Sequence, residues 1–190
     1  MEKVTKSELL KLSKEDLKGK IICFPTDTVY GVGAMIDDSD AISKIYKMKN
    51  RSDNKPIAIL CSKINQVEEY TYVSDYAKSL MERYWPGALT IVLKKKKELA
   101  TYKDTNTLAF RMPKSKVALD IIDHFSLLST TSVNTSGEKE MNDYNEIADK
   151  FGDYIDYIVT DRETFSSVAS TIVDLSGDEA KVLREGNIKL

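Results

Sequence analysis

Short, largely apolar runs recur along this chain, and they limit the folds that it can adopt. The runs are IICF at 21–24, IAILC at 57–61, LTIVL at 89–93 and TLAFRM at 107–112. Runs of this length are typical of buried strands and are too short for core helices. The chain is therefore expected to fold around a sheet that other elements cover.

Segments with helical periodicity lie between these runs. Residues 39–50 place Ala41, Ile42 and Ile45 on one face and lysines on the other, and Ser74 and Ser115 are favourable N-caps for two further helices. The strands at 89–93 and 107–112 follow each other with no helix between them, so the sheet should be mixed. These patterns predict an α+β fold, a mixed sheet flanked by helices, with a turn-rich loop at 26–33.

Length and composition allow one substantial core in 190 residues, of which 42% are hydrophobic. We expect a single domain, residues 1–190. No apolar run approaches the roughly 20 residues that span a membrane. Cys23 and Cys61 lie in apolar strand runs and are expected to be buried thiols in a reducing cytosol. A sequence pI near 5.6 argues against nonspecific nucleic-acid binding as the main task.

Several kinds of catalytic site have little support in the sequence. His124 is the only histidine, which removes a Ser-His-Asp triad and most zinc sites. GVGAMI at 31–36 falls short of GxGxxG, and the chain has no GxxxxGKS or GxxxxGKT motif. The remaining inventory of cations, hydroxyls and amides suits electrostatic stabilisation of anionic groups.

A basic cluster, KIYKMKNRSDNKP at 44–56, stands out in a chain whose formal net charge is −2. Lys44 and Lys47 belong to the outward face of a helix and are expected to be solvated. Lys49, Arg51 and Lys55 lie at and beyond the end of that helix. They either complement the helix dipole or face an anionic ligand. Arg51 and Lys55 lie beyond the last turn, where the effect of the helix dipole is weak, which favours a ligand for these two.

Further polar groups follow or interrupt the strands. Thr26 and Thr28 come just past a strand end, where ligands of open sheets often bind. On the strand TLAFRM, Thr107 and Arg111 share one face, and a buried arginine there needs a counter-anion. The loop STTSVNTSG and the strands STIVDL and KVLRE add hydroxyls and amides. Each of these stretches also has an ordinary structural explanation in a turn or strand end.

Taken in order, these motifs resemble a known family. PTDTVYGVG, K-x-R-x-x-x-K-P, YWPGALT, TLAFRMP, TSVNTSG, STIVD and LREG resemble the YrdC-like family of threonylcarbamoyl-AMP synthases. The resemblance implies a twisted mixed sheet with a concave, positively charged cavity. It also implies an enzyme that joins L-threonine, bicarbonate and ATP into L-threonylcarbamoyladenylate and releases pyrophosphate. Mg²⁺ is expected to bridge the phosphates, with no acidic cluster to name its ligands.

The resemblance also implies partners and site residues. A separate complex would transfer the threonylcarbamoyl group to position 37 of tRNA, and the synthase itself would make at most a weak contact with tRNA. Threonine would be bound by Thr28, Arg111, Thr130 and Ser170. The nucleotide would be bound by Arg51, Lys55, Thr107, Ser132, Asn134 and Arg184. Lys49, Arg51 and Lys55 would be the catalytic cations that face the phosphates.

The chain departs from relatives at several positions. Lys55-Pro56-Ile57 and Leu60 replace an Asn-Pro-Leu motif and a following histidine, Val133 replaces the alanine of a SAN motif, and Asp27 replaces a glutamate. The histidine contact with threonine is therefore not expected here.

Two other functions stay open at this point. An RNA-binding module would use residues 44–55 and the run KKKK at 94–97 as its footprint. A related carbamoyl-adenylating domain would use carbamoyl phosphate instead of bicarbonate and threonine, but such domains usually lie inside much larger chains.

Overall fold

A ten-stranded mixed sheet runs through the computed structural model, which describes residues 1–51, 56–164, 166 and 168–190. The strands are β1 (Glu2–Val4), β2 (Ile22–Phe24), β3 (Gly31–Met35), β4 (Ala58–Leu60), β5 (Leu89–Lys94), β6 (Thr107–Arg111), β7 (Leu128–Ser132), β8 (Tyr157–Val159), β9 (Thr171–Asp174) and β10 (Lys181–Arg184). Their order in the sheet is β1-β8-β2-β3-β7-β4-β6-β5-β9-β10. Parallel and antiparallel pairs both occur, for example β4 with β6 and β5 with β6. The predicted α+β fold with a mixed sheet is confirmed.

The helices of the described part of the chain are α1 (Lys6–Leu9), α2 (Ser39–Lys49), α3 (Ile64–Tyr70), α4 (Asp75–Tyr84), α5 (Lys116–Phe125) and α6 (Tyr144–Phe151). The N-caps expected at Ser74 and Ser115 are present, and Asp38 caps α2 through a bond from the Ala41 amide. Asn50 ends α2 in the left-handed conformation, with φ 49°. No helix of the described residues is long and apolar enough to cross a bilayer.

The sheet divides into two parts that are covered differently. Around β2, apolar side chains are buried on both faces: Ile22 and Phe24 join one core cluster, and Cys23 joins another. Around β5 and β6, Ile91 and Phe110 pack into a third cluster together with residues of α3 and α4. The alternate side chains of β5, β6 and β9 point to the opposite face, which forms the floor of a cavity.

The prediction of a loop over residues 26–33 was wrong at its C-terminal end. Gly31 and Gly33 belong to β3, which pairs with β7, and a Cβ on either would lie 2.8 or 2.6 Å from atoms of Thr130. Glycine is required here by close strand packing and not by a turn, a distinction that the local sequence does not carry.

Other elements were missed or assigned differently. β1 and α3 were not predicted, because each is short and lacks a clear periodic pattern. In α4, Ala77, Leu80 and Met81 are buried, whereas Tyr76 is 54% exposed. Tertiary packing selected the smaller residues of that helix for the core.

Candidate functional site

A cavity of about 620 Å³ lies over the uncovered face of β6, β5 and β9. The loop before β3, the end of α2, the segment after β7 and the edge strand β10 form its walls. Ten of the eleven predicted site residues line it: Thr28, Lys49, Arg51, Thr107, Arg111, Thr130, Ser132, Asn134, Ser170 and Arg184. The eleventh, Lys55, lies outside the described residues. The tertiary structure thus brings together residues that are far apart in sequence.

Arg111 lies on the cavity floor, at the end of β6. Its guanidinium donates to the Gly87 carbonyl (3.1 Å), the Thr28 hydroxyl (2.8 Å) and the Asp27 carboxylate (2.5 Å). The side chain is 9% exposed. Desolvation lowers the pKa of Arg111 and the Asp27 carboxylate opposes that effect, so the cation is retained in a buried position.

The loop before β3 supports this arrangement through its threonines. The Thr26 hydroxyl donates to the Val29 carbonyl at 2.7 Å and accepts from the Thr28 amide at 3.2 Å. These local bonds hold a compact turn directly after β2 and aim Thr28 and Asp27 at the guanidinium. The negative charge that the buried Arg111 requires is thus supplied by Asp27 of the loop before β3.

A second polar chain crosses the cavity between β5 and β10. The hydroxyls of Thr90 and Ser170 lie 2.8 Å apart, and Arg184 donates to the Ser170 carbonyl (2.9 Å) and hydroxyl (3.1 Å). Gly186 allows the C-terminal segment to approach, because a Cβ there would lie 2.5 Å from the Ala169 carbonyl oxygen. Arg184 on β10 is thereby tied to the floor strand β9.

Lys49 is buried at the end of α2, with 2% of its surface exposed. Its amine donates to the carbonyls of Ser132 (2.5 Å) and Asn134 (2.9 Å) and to the Asn134 side-chain oxygen (2.7 Å). Desolvation is the main reason that the pKa of Lys49 falls to about 8, and the Arg51 charge lowers it further. Hydrogen bonding to neutral oxygens therefore holds this amine in place of an ion pair.

Arg51 follows α2 at the cavity mouth and is half-buried. Its guanidinium donates to the Pro56 carbonyl at 3.0 Å, and its amide donates to the Tyr46 carbonyl across the left-handed Asn50. The cap therefore turns the chain sharply, so that Arg51 leaves the helix axis and reaches the cavity.

The described lining carries charges of both signs. Four cationic side chains, Lys49, Arg51, Arg111 and Arg184, face three carboxylates, Glu138, Glu140 and Asp174. Glu138 forms an ion pair with Lys150, and Asp174 accepts from the amide and hydroxyl of Ser176. A strongly positive cavity therefore remains an expectation from the family resemblance.

Some lining residues were not predicted. Thr90 is buried on the cavity face of β5, and the alternation of Leu89, Thr90 and Ile91 in LTIVL is the signal that could have identified it. Glu140 lies in a loop, and no sequence pattern distinguishes it from the other acidic residues nearby.

The described ranges contain no preformed metal centre. Within residues 1–51, 56–164, 166 and 168–190, no group of three or more His, Cys, Asp or Glu side chains could hold a metal ion. Cys23 and Cys61 are buried free thiols, as expected, and burial raises the pKa of both.

Comparisons with known proteins match most of this chain to one family. The Sua5/YciO/YrdC family model, described as "Telomere recombination", matches residues 17–186. A putative threonylcarbamoyl-AMP synthase of Methanocaldococcus jannaschii is 34% identical over 179 residues, which cover 94% of this chain and 86% of that protein. The threonylcarbamoyl-AMP synthase of Bacillus subtilis is 35% identical over 176 residues, covering 90% of this chain and 51% of the relative.

A solved structure agrees with these matches. The crystal structure of Pyrococcus abyssi Sua5 complexed with L-threonine superposes with a TM-score of 0.86 at 31% identity and covers 95% of this chain. This chain spans about half the length of the Bacillus and Pyrococcus relatives. Since the family model covers nearly all of the sequence and the fold agrees, the chain belongs to the Sua5/YciO/YrdC family.

Proposed function

We propose that this protein is a threonylcarbamoyl-AMP synthase, a nucleotidyltransferase that forms L-threonylcarbamoyladenylate and pyrophosphate from L-threonine, bicarbonate and ATP. One observation carries the proposal: a buried, carboxylate-paired Arg111 lies beside Thr28 in a cavity that also holds Arg51 and Arg184. A carboxylate site and a phosphate site in a single cavity are what this reaction requires.

The floor around Arg111 suits the amino acid. Three of the five guanidinium N–H groups are used by Gly87, Thr28 and Asp27, so further N–H groups remain for a substrate carboxylate. Thr130 and Ser170 offer hydroxyls on neighbouring parts of the lining, where a threonine hydroxyl or amine could bind. We therefore assign Thr28, Arg111, Thr130 and Ser170 to threonine.

The other predicted residues suit the nucleotide. Arg51 follows α2, Arg184 lies on the edge strand, and Thr107, Ser132 and Asn134 also line the cavity. We assign these residues to ATP, together with Lys55, which is included because the family motif extends to it. Guanidinium groups are suited to phosphate oxygens because of their planar, bidentate geometry.

The chemistry needs cations more than a protein nucleophile. The threonine amine combines with bicarbonate to form a carbamate and water. A carbamate oxygen then forms a bond to the α-phosphorus, and the bond from that phosphorus to the pyrophosphate oxygen breaks. Both reactants are anionic, so fixed cations offset their repulsion and stabilise the charge on the leaving pyrophosphate.

Magnesium is proposed to enter with ATP. Mg²⁺ commonly binds substrate phosphates and keeps several waters, so it does not need a dedicated protein cage. When bound, it would neutralise phosphate charge, and the carboxylates that the described lining offers are Glu138, Glu140 and Asp174.

Cellular context follows from the proposed product. We propose that the adenylate serves threonylcarbamoylation at position 37 of tRNA by a separate complex in the cytoplasm, with at most weak tRNA contact by this chain. We also propose that residues 1–190 act as one domain, because a single sheet connects β1 to β10.

The test is a pyrophosphate assay with ATP, L-threonine and bicarbonate. We expect pyrophosphate only when all three are present, and threonylcarbamoyl-AMP in stoichiometric amount by mass spectrometry. Release that does not depend on threonine would exclude the proposal, as would a product that forms from carbamoyl phosphate.

An RNA-binding module is less well supported. In the KKKK run, Lys95 pairs with Glu98, Lys97 pairs with Glu69, and Lys96 donates to the Glu68 carbonyl. In the other half of the footprint, Lys49 is buried. Much of the expected positive surface is therefore already neutralised or inaccessible.

A further inference from the structure

The hydrogen bonds of Lys49 use the full capacity of its ammonium group. An ammonium donates three hydrogen bonds and accepts none. Three oxygens already lie at 2.5, 2.7 and 2.9 Å from the Lys49 nitrogen, all on Ser132 and Asn134. A phosphate oxygen could bind this amine only if one of those bonds broke in a buried site.

The acceptors of Lys49 belong to a network that shapes one wall of the cavity. The Asn134 amide group donates to the carbonyls of Thr135 (3.0 Å) and Glu138 (2.8 Å), and its oxygen also accepts from the Ser132 hydroxyl (2.7 Å). The backbone takes part as well, because the Ser136 amide donates to the Lys49 carbonyl at 2.8 Å. Lys49 and Asn134 thus join the end of α2 to the segment 132–138, which we name the wall loop.

We propose that Lys49 is a positioning residue, which acts on the nucleotide through the wall loop and makes no direct contact with the phosphates. This inference rests on the proposed function only for the identity of the ligand that the wall loop faces. Val133 anchors the start of the wall loop in the core, whereas residues 136–138 are exposed and include Gly137 at φ 91°. The bonds from Lys49 and Asn134 link this exposed part to the end of α2.

The charges around Lys49 make these bonds dependent on protonation. The Arg51 guanidinium, just beyond α2, disfavours the ammonium form, and the Glu140 carboxylate, just after the wall loop, favours it. A neutral amine donates only two hydrogen bonds, so one of the three oxygens would lose its donor. Protonation of the amine therefore decides how many of the three bonds can form.

Hydrogen exchange in the ligand-free protein tests the proposal directly. In Lys49→Met, which keeps a similar length without donors, the amides of Ser136, Glu138 and Met141 should exchange roughly tenfold faster or more, while those of β2 and β6 keep their protection. Lys47→Met is the matched control, since Lys47 is exposed on the same helix, and its exchange should equal that of the wild type. Wild-type exchange in Lys49→Met together with lost turnover would overturn the proposal and indicate direct phosphate contact.

A second variant keeps the test decisive if Lys49→Met does not fold. Lys49→Gln retains two N–H donors but no charge, so exchange should be intermediate, and turnover should fall severalfold with most of the change in KM for ATP. A phosphate-binding charge predicts instead that Lys49→Gln loses turnover with normal exchange. Hydrogen exchange is measured without substrates, whereas the proposed function is tested by the pyrophosphate assay on the wild type. Failure of the Lys49 proposal can therefore be distinguished from failure of the proposed function.

Discussion

Arg111 and Lys49 are two buried cations of the same cavity, and the protein keeps them in different ways. Arg111 is paired with the Asp27 carboxylate, whereas the bonds of Lys49 go to neutral oxygens of Ser132 and Asn134. Desolvation lowers the pKa of both. Arginine stays charged despite this desolvation because its ordinary pKa lies far above neutral pH, but Lys49 reaches a pKa of about 8.

The difference indicates a division of roles. A permanent, ion-paired guanidinium with spare N–H groups suits a substrate carboxylate, because its charge does not vary over the physiological range. An amine whose N–H donors are all bonded to protein oxygens is suited to holding a loop in place. One cation is thus available to ligands, and the other is committed to the protein.

The largest effect is expected when Arg111 is removed. Arg111→Ala leaves the Asp27 carboxylate, which is only 16% exposed, without its partner, so the free energy of unfolding should fall by about 3–5 kcal/mol and threonine-dependent pyrophosphate release should disappear. Chemical denaturation and the pyrophosphate assay measure the two effects. The double variant Arg111→Met with Asp27→Asn should recover most of the stability and none of the activity. A double variant as unstable as the single one would show that the ion pair is not the cause.

Arg51→Ala should separate activity from stability. Arg51 is half-buried at the cavity mouth, so its loss should leave the melting temperature within a few degrees of the wild type. Turnover should fall by roughly 10²–10³-fold, because a cation that stabilises the leaving pyrophosphate is lost. Near-normal turnover would contradict the assignment of Arg51 to the phosphates.

The pH dependence should distinguish the two buried cations. The folded pKa of Lys49, about 8, lies below its ordinary value of 10.5, so the unfolded chain binds more protons between these values. The contribution of Lys49 to stability therefore rises with pH in this window. The difference in unfolding free energy between the wild type and Lys49→Met should change across pH 8 to 10.5, and a flat difference would argue against this titration.

The smallest effect is expected for Ser132→Ala. This change removes the hydroxyl that donates to Asn134 and keeps the backbone carbonyl that accepts from Lys49. Stability should fall by about 0.5–1.5 kcal/mol, and exchange in the wall loop should rise less than in Lys49→Met. An equal or larger rise would mean that Ser132, and not Lys49, provides the main hold.

Much of the site could be predicted from sequence, because its residues lie in motifs with a local meaning. The alternation in TLAFRM identified Thr107 and Arg111 on one face, and the end of the helix before Asn50 separated Lys49 and Arg51 from the solvated Lys47. Thr90 was missed because a single hydroxyl in an apolar strand has many structural explanations. The pairing of Arg111 with Asp27 joins residues 84 positions apart, and no local pattern encodes it.

The sequence by itself determined most of the longer elements, since apolar runs and helix caps act through neighbouring residues. It also determined the family, because seven motifs occur in order along the chain. Only the tertiary structure decided that one face of β6, β5 and β9 stays uncovered, and that Gly31 and Gly33 serve a strand contact with Thr130. The same is true of Lys49, whose burial and three acceptors come from a segment some 83 residues away. The physical reason is that desolvation and hydrogen-bond saturation depend on which distant groups fold against a side chain.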